Sequence, residues 1–342
     1  MYNKLNYMNF LAKYKDNTIY LILQEMRVRQ WIKNMFVFAA PFFAKELLHT
    51  NILIKSILAF LVLCSVSSFV YIMNDLADVE SDKKHPVKKF RPVASNRLVK
   101  SLALKVSVIL LFFGLVAAYF INTNGFLFYT IFLYIILQVL YTFWLKHEII
   151  IDALVVSIGF ILRVFAGIAA TSIQISSNIT DNTENFGISS WVILTVIGLS
   201  LLLAFGKRKA EKVTLIELDP KFTTRKTLKN YPDSLLDSMI TMSATYTIIS
   251  YSFFAFFNSP RNITPGIVRK YLPYALHNPK WMMFTIPVVI YAIARYLYII
   301  YESKSAENPE KVIFSDKPFL YSIWIWILMS FFFYYILGNV DF

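Results

Sequence analysis

Apolar residues in this chain come in runs of about twenty, separated by short polar stretches. A helix needs about 20 mostly apolar residues to cross the hydrocarbon core of a bilayer. Nine runs qualify, at 34–52, 54–74, 102–121, 125–143, 151–170, 190–206, 238–258, 281–300 and 318–338, the first interrupted by Lys45 and Glu46. The pattern predicts an all-α polytopic membrane protein of about nine transmembrane helices. It forms one domain over 1–342, with residues 1–25 as an amino-terminal segment and two long polar loops at 75–101 and 207–237.

Composition agrees. Of 342 residues 57% are apolar, 17% aromatic and 16% charged, well below the roughly 25% charge of soluble domains, and too apolar for a disordered chain. The lone Cys64 excludes a disulfide framework and a cysteine zinc site, and His49, His85, His147 and His277 show no ligand spacing. The net charge of +13 fits either nucleic acid or a cytoplasmic membrane face. With the amino terminus inside, the inner segments 1–33, 75–101, 144–150, 207–237 and 301–317 hold 25 of the Lys and Arg residues and the outer segments 6. That asymmetry predicts a cytoplasmic amino terminus and argues against nucleic acid. Lys4, Lys13, Lys15, Asp16 and Glu25 break up the first 25 residues, so no signal peptide is expected.

The second run ends in Asn74-Asp75-x-x-Asp78-x-x-x-Asp82. If the helix continues, Asp75, Asp78 and Asp82 fall within about 60° of one another at about 100° per residue. Three carboxylates on one face require a positive partner, and oxygen-only ligands point to Mg²⁺ or its relative Mn²⁺. Magnesium commonly completes its shell with substrate phosphates, so a diphosphate is the expected partner. Lys83, Lys84, His85, Lys88, Lys89 and Arg91 follow and would meet the same phosphates. A solvated acidic helix end with headgroup-anchoring lysines is the alternative.

These residues, with Lys88-Lys89-Phe90-Arg91-Pro92-Val93-Ala94 behind them, resemble the first aspartate-rich motif of the UbiA superfamily of intramembrane transferases. Further matches are Arg29-Gln30-Trp31-x-Lys33-Asn34, Asp152 with Arg163, and Gly206-Lys207-Arg208-x-x-Glu211. Together, over about residues 25 to 340, they resemble its decaprenyl-phosphate phosphoribosyltransferase branch. The resemblance implies 5-phosphoribose transfer from phosphoribosyl diphosphate to a polyprenyl phosphate, with Mg²⁺, in a bacterial inner membrane. The active site would face the cytoplasm, and the product would feed decaprenyl-phosphoarabinose and cell-wall arabinan synthesis. Where aromatic prenyltransferases of the superfamily carry a second acidic motif, this chain has Lys207, Arg208, Lys209 and Glu211, which suit another phosphate. Asn96 stands where a glycine-like turn residue is expected.

Asp75, Asp78 and Asp82 are therefore the expected metal ligands, with Lys146 and Arg91 sharing the charge that builds on the leaving diphosphate. Substrate contacts are expected from Lys33, Asn74, Lys88, Lys89, Tyr141, Arg163, Lys207, Arg208, Glu211, Arg225, Lys229 and Tyr231. Arg225 and Lys229, four apart, would share a helix face, and Lys33 would grip the lipid phosphate. Arg163 lies about 16 Å deeper than Asp152 along its helix, and either meets substrate or pairs with an acid such as Asp152 or Asp75. Expected partners are the two phosphorylated substrates, membrane lipids and, as an open alternative, a second copy of the chain. The competing readings are a prenyltransferase acting on an aromatic acceptor and a non-enzymatic ion or lipid transporter.

Overall fold

The computed structural model describes residues 17–85, 88–122, 124–176, 187–218, 226–259, 280–302 and 316–337. In chain order its helices are α1 (Thr18–Glu25), α2 (Ala39–Phe43), α3 (Thr50–Ala77), α4 (Val79–Lys84), α5 (Lys100–Ile121), α6 (Phe126–Phe143), α7 (Ile151–Thr171), α8 (Ser190–Leu218), α9 (Lys226–Lys229), α10 (Asp233–Phe257), α11 (Ile286–Glu302) and α12 (Lys317–Phe331). A short parallel pair, β1 (Gln174–Ser176) and β2 (Gly187–Ser189), lies between α7 and α8. Among the described residues eight helical segments are long and apolar enough to cross a membrane, and they correspond to the last eight runs of the sequence. The chain is an integral membrane protein.

The first run differs in form. It is a 3-10 helix, Val28–Phe38, continued by α2, and it starts earlier than the expected 34–52. Its eleven 3-10 and five α-helical residues give a length of about 30 Å, enough for the hydrocarbon core. It runs antiparallel to α3 as a ladder. Arg27 donates to Asp75, Trp31 Nε1 to Ser68 Oγ at 3.1 Å, Asn34 Nδ2 to Ser67 Oγ at 3.2 Å, and the Phe38 and Phe60 rings lie 5.9 Å apart. One face of the segment packs into the bundle, with Val37 and Ala40 fully buried, while Val28 and Met35 on the other are exposed. Gly167 of α7 makes that possible, since a Cβ there would come within 2.0 Å of the Val37 carbonyl oxygen.

Helix α7 is the central element. In its most apolar stretch 67% of residues are buried, against 17% in α5 and 22% in α6, whose Phe112, Phe113, Phe120, Phe126 and Tyr129 face outward. One core joins α3, α5 and α6 to α7 around Leu63, Val66, Ile131 and Ala166, and another joins α8, α10 and α11 around Leu202, Phe205, Ile240 and Tyr296. The polar ends of α3, α6, α7 and α8 meet through side-chain contacts at one end of the bundle.

The continuous acidic helix expected through Asp82 is broken. Helix α3 ends at Ala77, Asp78 takes φ −95° and ψ 9°, and α4 restarts at Val79. After α4, Arg91 N bonds the Lys88 carbonyl at 3.0 Å and Leu98 N the Pro92 carbonyl at 3.0 Å, which folds 88–98 back over the end of α3. Asn96 fills the turn with φ 60°, a left-handed conformation that asparagine tolerates better than most residues, so the absent glycine is accommodated.

Candidate active site

The break at Asp78 divides the three aspartates. Asp75 is buried, and both Arg27 and Arg91 donate to its Oδ1, Arg91 Nη1 at 2.8 Å. The same Arg91 nitrogen reaches Asp82 Oδ2 at 2.6 Å, so Asp75 and Asp82 share one guanidinium. Asp78 turns to a different cation, with Lys146 Nζ 2.8 and 3.0 Å from its two oxygens. Lys146 sits on a 3-10 turn, Leu145–His147, that caps α6, which explains how a residue 68 positions away arrives at the motif.

A second cluster lies where α7 and α8 meet. Arg208 Nε donates to Asp152 Oδ2 at 2.5 Å, its Nη1 to Glu211 at 3.3 Å and its Nη2 to the Tyr141 hydroxyl at 2.9 Å. The Tyr231 hydroxyl donates to Asp152 Oδ1 at 2.5 Å and accepts from the Ile150 N–H at 2.6 Å. Burial, then the neighbouring Asp152, raises the Tyr231 hydroxyl's pKa, so it remains a proton donor at neutral pH. Lys88 Nζ, 3.5 Å from Glu211 Oε1, links this cluster to the aspartate loop. Lys212 Nζ donates to the Tyr231 carbonyl at 2.7 Å and pairs with Asp233 at 3.0 Å, tying the end of α8 to the start of α10.

Other expected residues sit elsewhere. Arg163 is buried, and its fork is filled by neutral oxygens: Asn34 Oδ1 at 2.9 Å, the Gly159 carbonyl at 2.7 Å and the Tyr134 hydroxyl at 2.9 Å. The expected acidic partner is therefore corrected, because Asp152 is taken by Arg208 and Asp75 by Arg27 and Arg91. Arg295 pairs with Asp316, the cap of α12, at 2.8 Å. Lys33 lies 3.3 Å from Gln30 Oε1, Lys89 sits over the Phe90 ring, Lys207 is half-buried and Lys229 is exposed. Asn74 is half-buried one residue before Asp75, and Arg225 and His277 lie outside the described residues.

Two site residues escape the motif. Arg27, with φ 53° at the junction of α1 and the 3-10 run, stacks on Tyr71 at 5.1 Å and reaches Asp75. Glu25, at the end of α1, is 1% exposed, and neither of its oxygens has a hydrogen-bond partner among the described residues. Burial, then the charge of Asp75, pushes its carboxyl up to about 8. The one sequence signal was their position, just ahead of the Arg29-Gln30-Trp31 stretch.

Among the described residues no three His, Cys, Asp or Glu side chains converge on one point. Magnesium needs no such cage, since one or two carboxylates with waters and substrate phosphates are its usual shell. Hard oxygen donors at Asp75 and Asp78, with an unpartnered buried carboxyl beside them, fit a divalent cation.

A model of the UbiA prenyltransferase family matches residues 34–328. Decaprenyl-phosphate phosphoribosyltransferase of Mycolicibacterium smegmatis is 31% identical over 315 residues, 90% of this chain and 91% of that protein. The protein of the same name from Corynebacterium glutamicum is 32% identical, over 86% of this chain and 81% of its own. Among solved structures, a UbiA homolog from Archaeoglobus fulgidus bound to GPP and Mg²⁺ superposes with a TM-score of 0.61 at 15% identity, covering 94% of this chain and 100% of that one. A digeranylgeranylglyceryl phosphate synthase gives a TM-score of 0.58 at 17% identity, covering 94% of this chain and 99% of that one. At these identities the two structures speak for the fold alone. The family match runs from Asn34, inside the 3-10 run, into α12, and takes in the three aspartates and the cluster between α7 and α8, so the chain belongs to the UbiA prenyltransferase family.

Proposed function

We propose that this chain transfers 5-phosphoribose from phosphoribosyl diphosphate to a polyprenyl phosphate and releases diphosphate. The observation that carries this reading is the base-rich second cluster. The end of α8 offers Lys207, Arg208, Lys209 and Lys212, with Arg208 held by Asp152 and Glu211, and Lys209 and Lys212 held by Asp233. A donor with phosphates at both ends of a pentose needs two anion-binding regions, and only one of them needs a metal. The phosphoribosyltransferase name of the two relatives supports the same choice.

In this reading Asp75 and Asp78, with Asp82 beside them, would hold Mg²⁺, and the chemistry it would supply is positive charge for the departing diphosphate. Arg27, Arg91 and Lys146 rest on those carboxylates and would turn to the diphosphate oxygens once a cation takes the carboxylates. Arg208 is pinned by Asp152, Glu211 and Tyr141, and it keeps Glu211 beside Lys88, whose half-buried ammonium would exchange Glu211 for the 5-phosphate. The bond from ribose C1 to the diphosphate oxygen breaks, and a bond from C1 to the lipid phosphate oxygen forms. That nucleophile is already anionic near neutral pH, so no general base is required. The basic asymmetry of the loops supports a cytoplasmic site, where a soluble donor and a bilayer-held acceptor meet.

The test is diphosphate release by purified protein. Release from phosphoribosyl diphosphate that requires both a polyprenyl phosphate and Mg²⁺ is expected. Release from a prenyl diphosphate with an aromatic acceptor, and none from the ribosyl donor, would replace this reading with prenyl transfer.

A further inference from the structure

Glu25 is placed by packing rather than by charge. Asn17 caps α1, its Oδ1 accepting the Ile19 N–H at 2.9 Å, and Leu21 docks among Ile72, Val79, Val93, Leu98 and Ala103. Residues four apart share a helix face, so the docking of Leu21 turns Glu25 into the same interior. There it is 1% exposed, no donor among the described residues reaches either oxygen, and it stands close enough to Asp75 for the two carboxyls to interact. The nearby guanidiniums of Arg27 and Arg91 make their bonds to Asp75 and Asp82 and give Glu25 none. A buried carboxyl without a donor is costly, and facing a second carboxylate adds to the cost. A divalent cation relieves both.

We propose that Glu25 is a further acidic member of the divalent-cation site, acting with Asp75 either directly or through one of the waters magnesium retains. This rests on the metal reading above. It makes the amino-terminal helix part of the site, although the aspartate motif begins fifty residues later, at Asp75.

Titration of the purified full-length protein with Mn²⁺, followed by the electron paramagnetic resonance signal of free Mn²⁺, tests it without any turnover. Glu25→Gln is expected to weaken Mn²⁺ about 10- to 100-fold, the range for groups that support metal ligands. Glu25→Asp should fall between the two, and Glu80→Gln, which removes an exposed acid paired with Lys83, should bind like wild type. Asp75→Asn separates the two claims. If Asp75→Asn loses Mn²⁺ while Glu25→Gln and Glu25→Asp keep wild-type affinity, the Glu25 proposal fails and the metal site stands. Unchanged binding in Asp75→Asn would overturn the metal site itself. Equal weakening by Glu80→Gln would reduce the effect to bulk charge and also overturn the proposal.

Discussion

Individual side chains here are held by specific partners, and the predictions at this scale follow from which partners those are. Asp75→Asn keeps the shape but removes the charge that meets two guanidiniums, and Asp78→Asn does the same for Lys146. Either purified variant should lose more than about a hundredfold in turnover, in line with removal of a preorganised electrostatic group; full activity in either would remove the metal assignment. Arg163→Lys keeps a charge but not the fork that reaches Asn34, Gly159 and Tyr134. It should cost about 1–3 kcal/mol in unfolding in detergent while leaving KM for the ribosyl donor unchanged. A rise in KM with wild-type stability would instead make Arg163 a substrate contact. At this scale the sequence was informative about residue type more than about pairing. The acids and bases of both clusters stand in the motifs, but that Lys146 serves Asp78 while Arg91 serves Asp75 and Asp82 depends on where α3 breaks. Glu25 was hidden because its role comes from the docking of Leu21, and apolar docking leaves no charge signature.

Elements were easier to read, because a bilayer admits few shapes for an apolar run of twenty residues. Eight runs became long helices with ends within a few residues of those expected, except α8, which runs on to Leu218, twelve residues past the expected 206 and into the polar loop. The first run was read at 34–52, but its segment lies at 28–43, because a 3-10 run advances further per residue and so needs fewer apolar positions than an α-helix. It relies on close approach. Gly167→Ala would drive a methyl into the Val37 carbonyl, and it should lower stability by about 1–3 kcal/mol or more, read as thermal unfolding in detergent. Asp316 caps α12 through the Phe319 N–H at 2.8 Å and pairs with Arg295. The Arg295 bond holds its carboxyl below the usual range. A depressed folded pKa contributes stability above the unfolded value and loses it as pH falls through the folded one. Asp316→Ala should therefore cost about 1 kcal/mol at neutral pH, and the difference from wild type should shrink below about pH 4.

For the molecule as a whole, two half-bundles share α7 and bring their polar ends together at one face. This juxtaposition of a carboxylate cluster with a base-rich one was visible in sequence only as two loops far apart in the chain. With the first segment counted as a crossing, the polar face and the amino terminus lie on the same side. Single cysteines at Glu80 and Lys229, in a Cys64→Ser background, should react with an impermeant thiol reagent only after the inner face is opened. Labelling from the outside of intact cells would reverse the orientation. The most direct test of the central claim is transfer itself. Purified protein with Mg²⁺, decaprenyl phosphate and phosphoribosyl diphosphate labelled in the ribose should yield solvent-extractable labelled lipid, and the yield should vanish with chelator or Asp75→Asn. Label remaining wholly in the aqueous phase, from wild-type protein that is folded and supplied with metal, would contradict phosphoribosyl transfer.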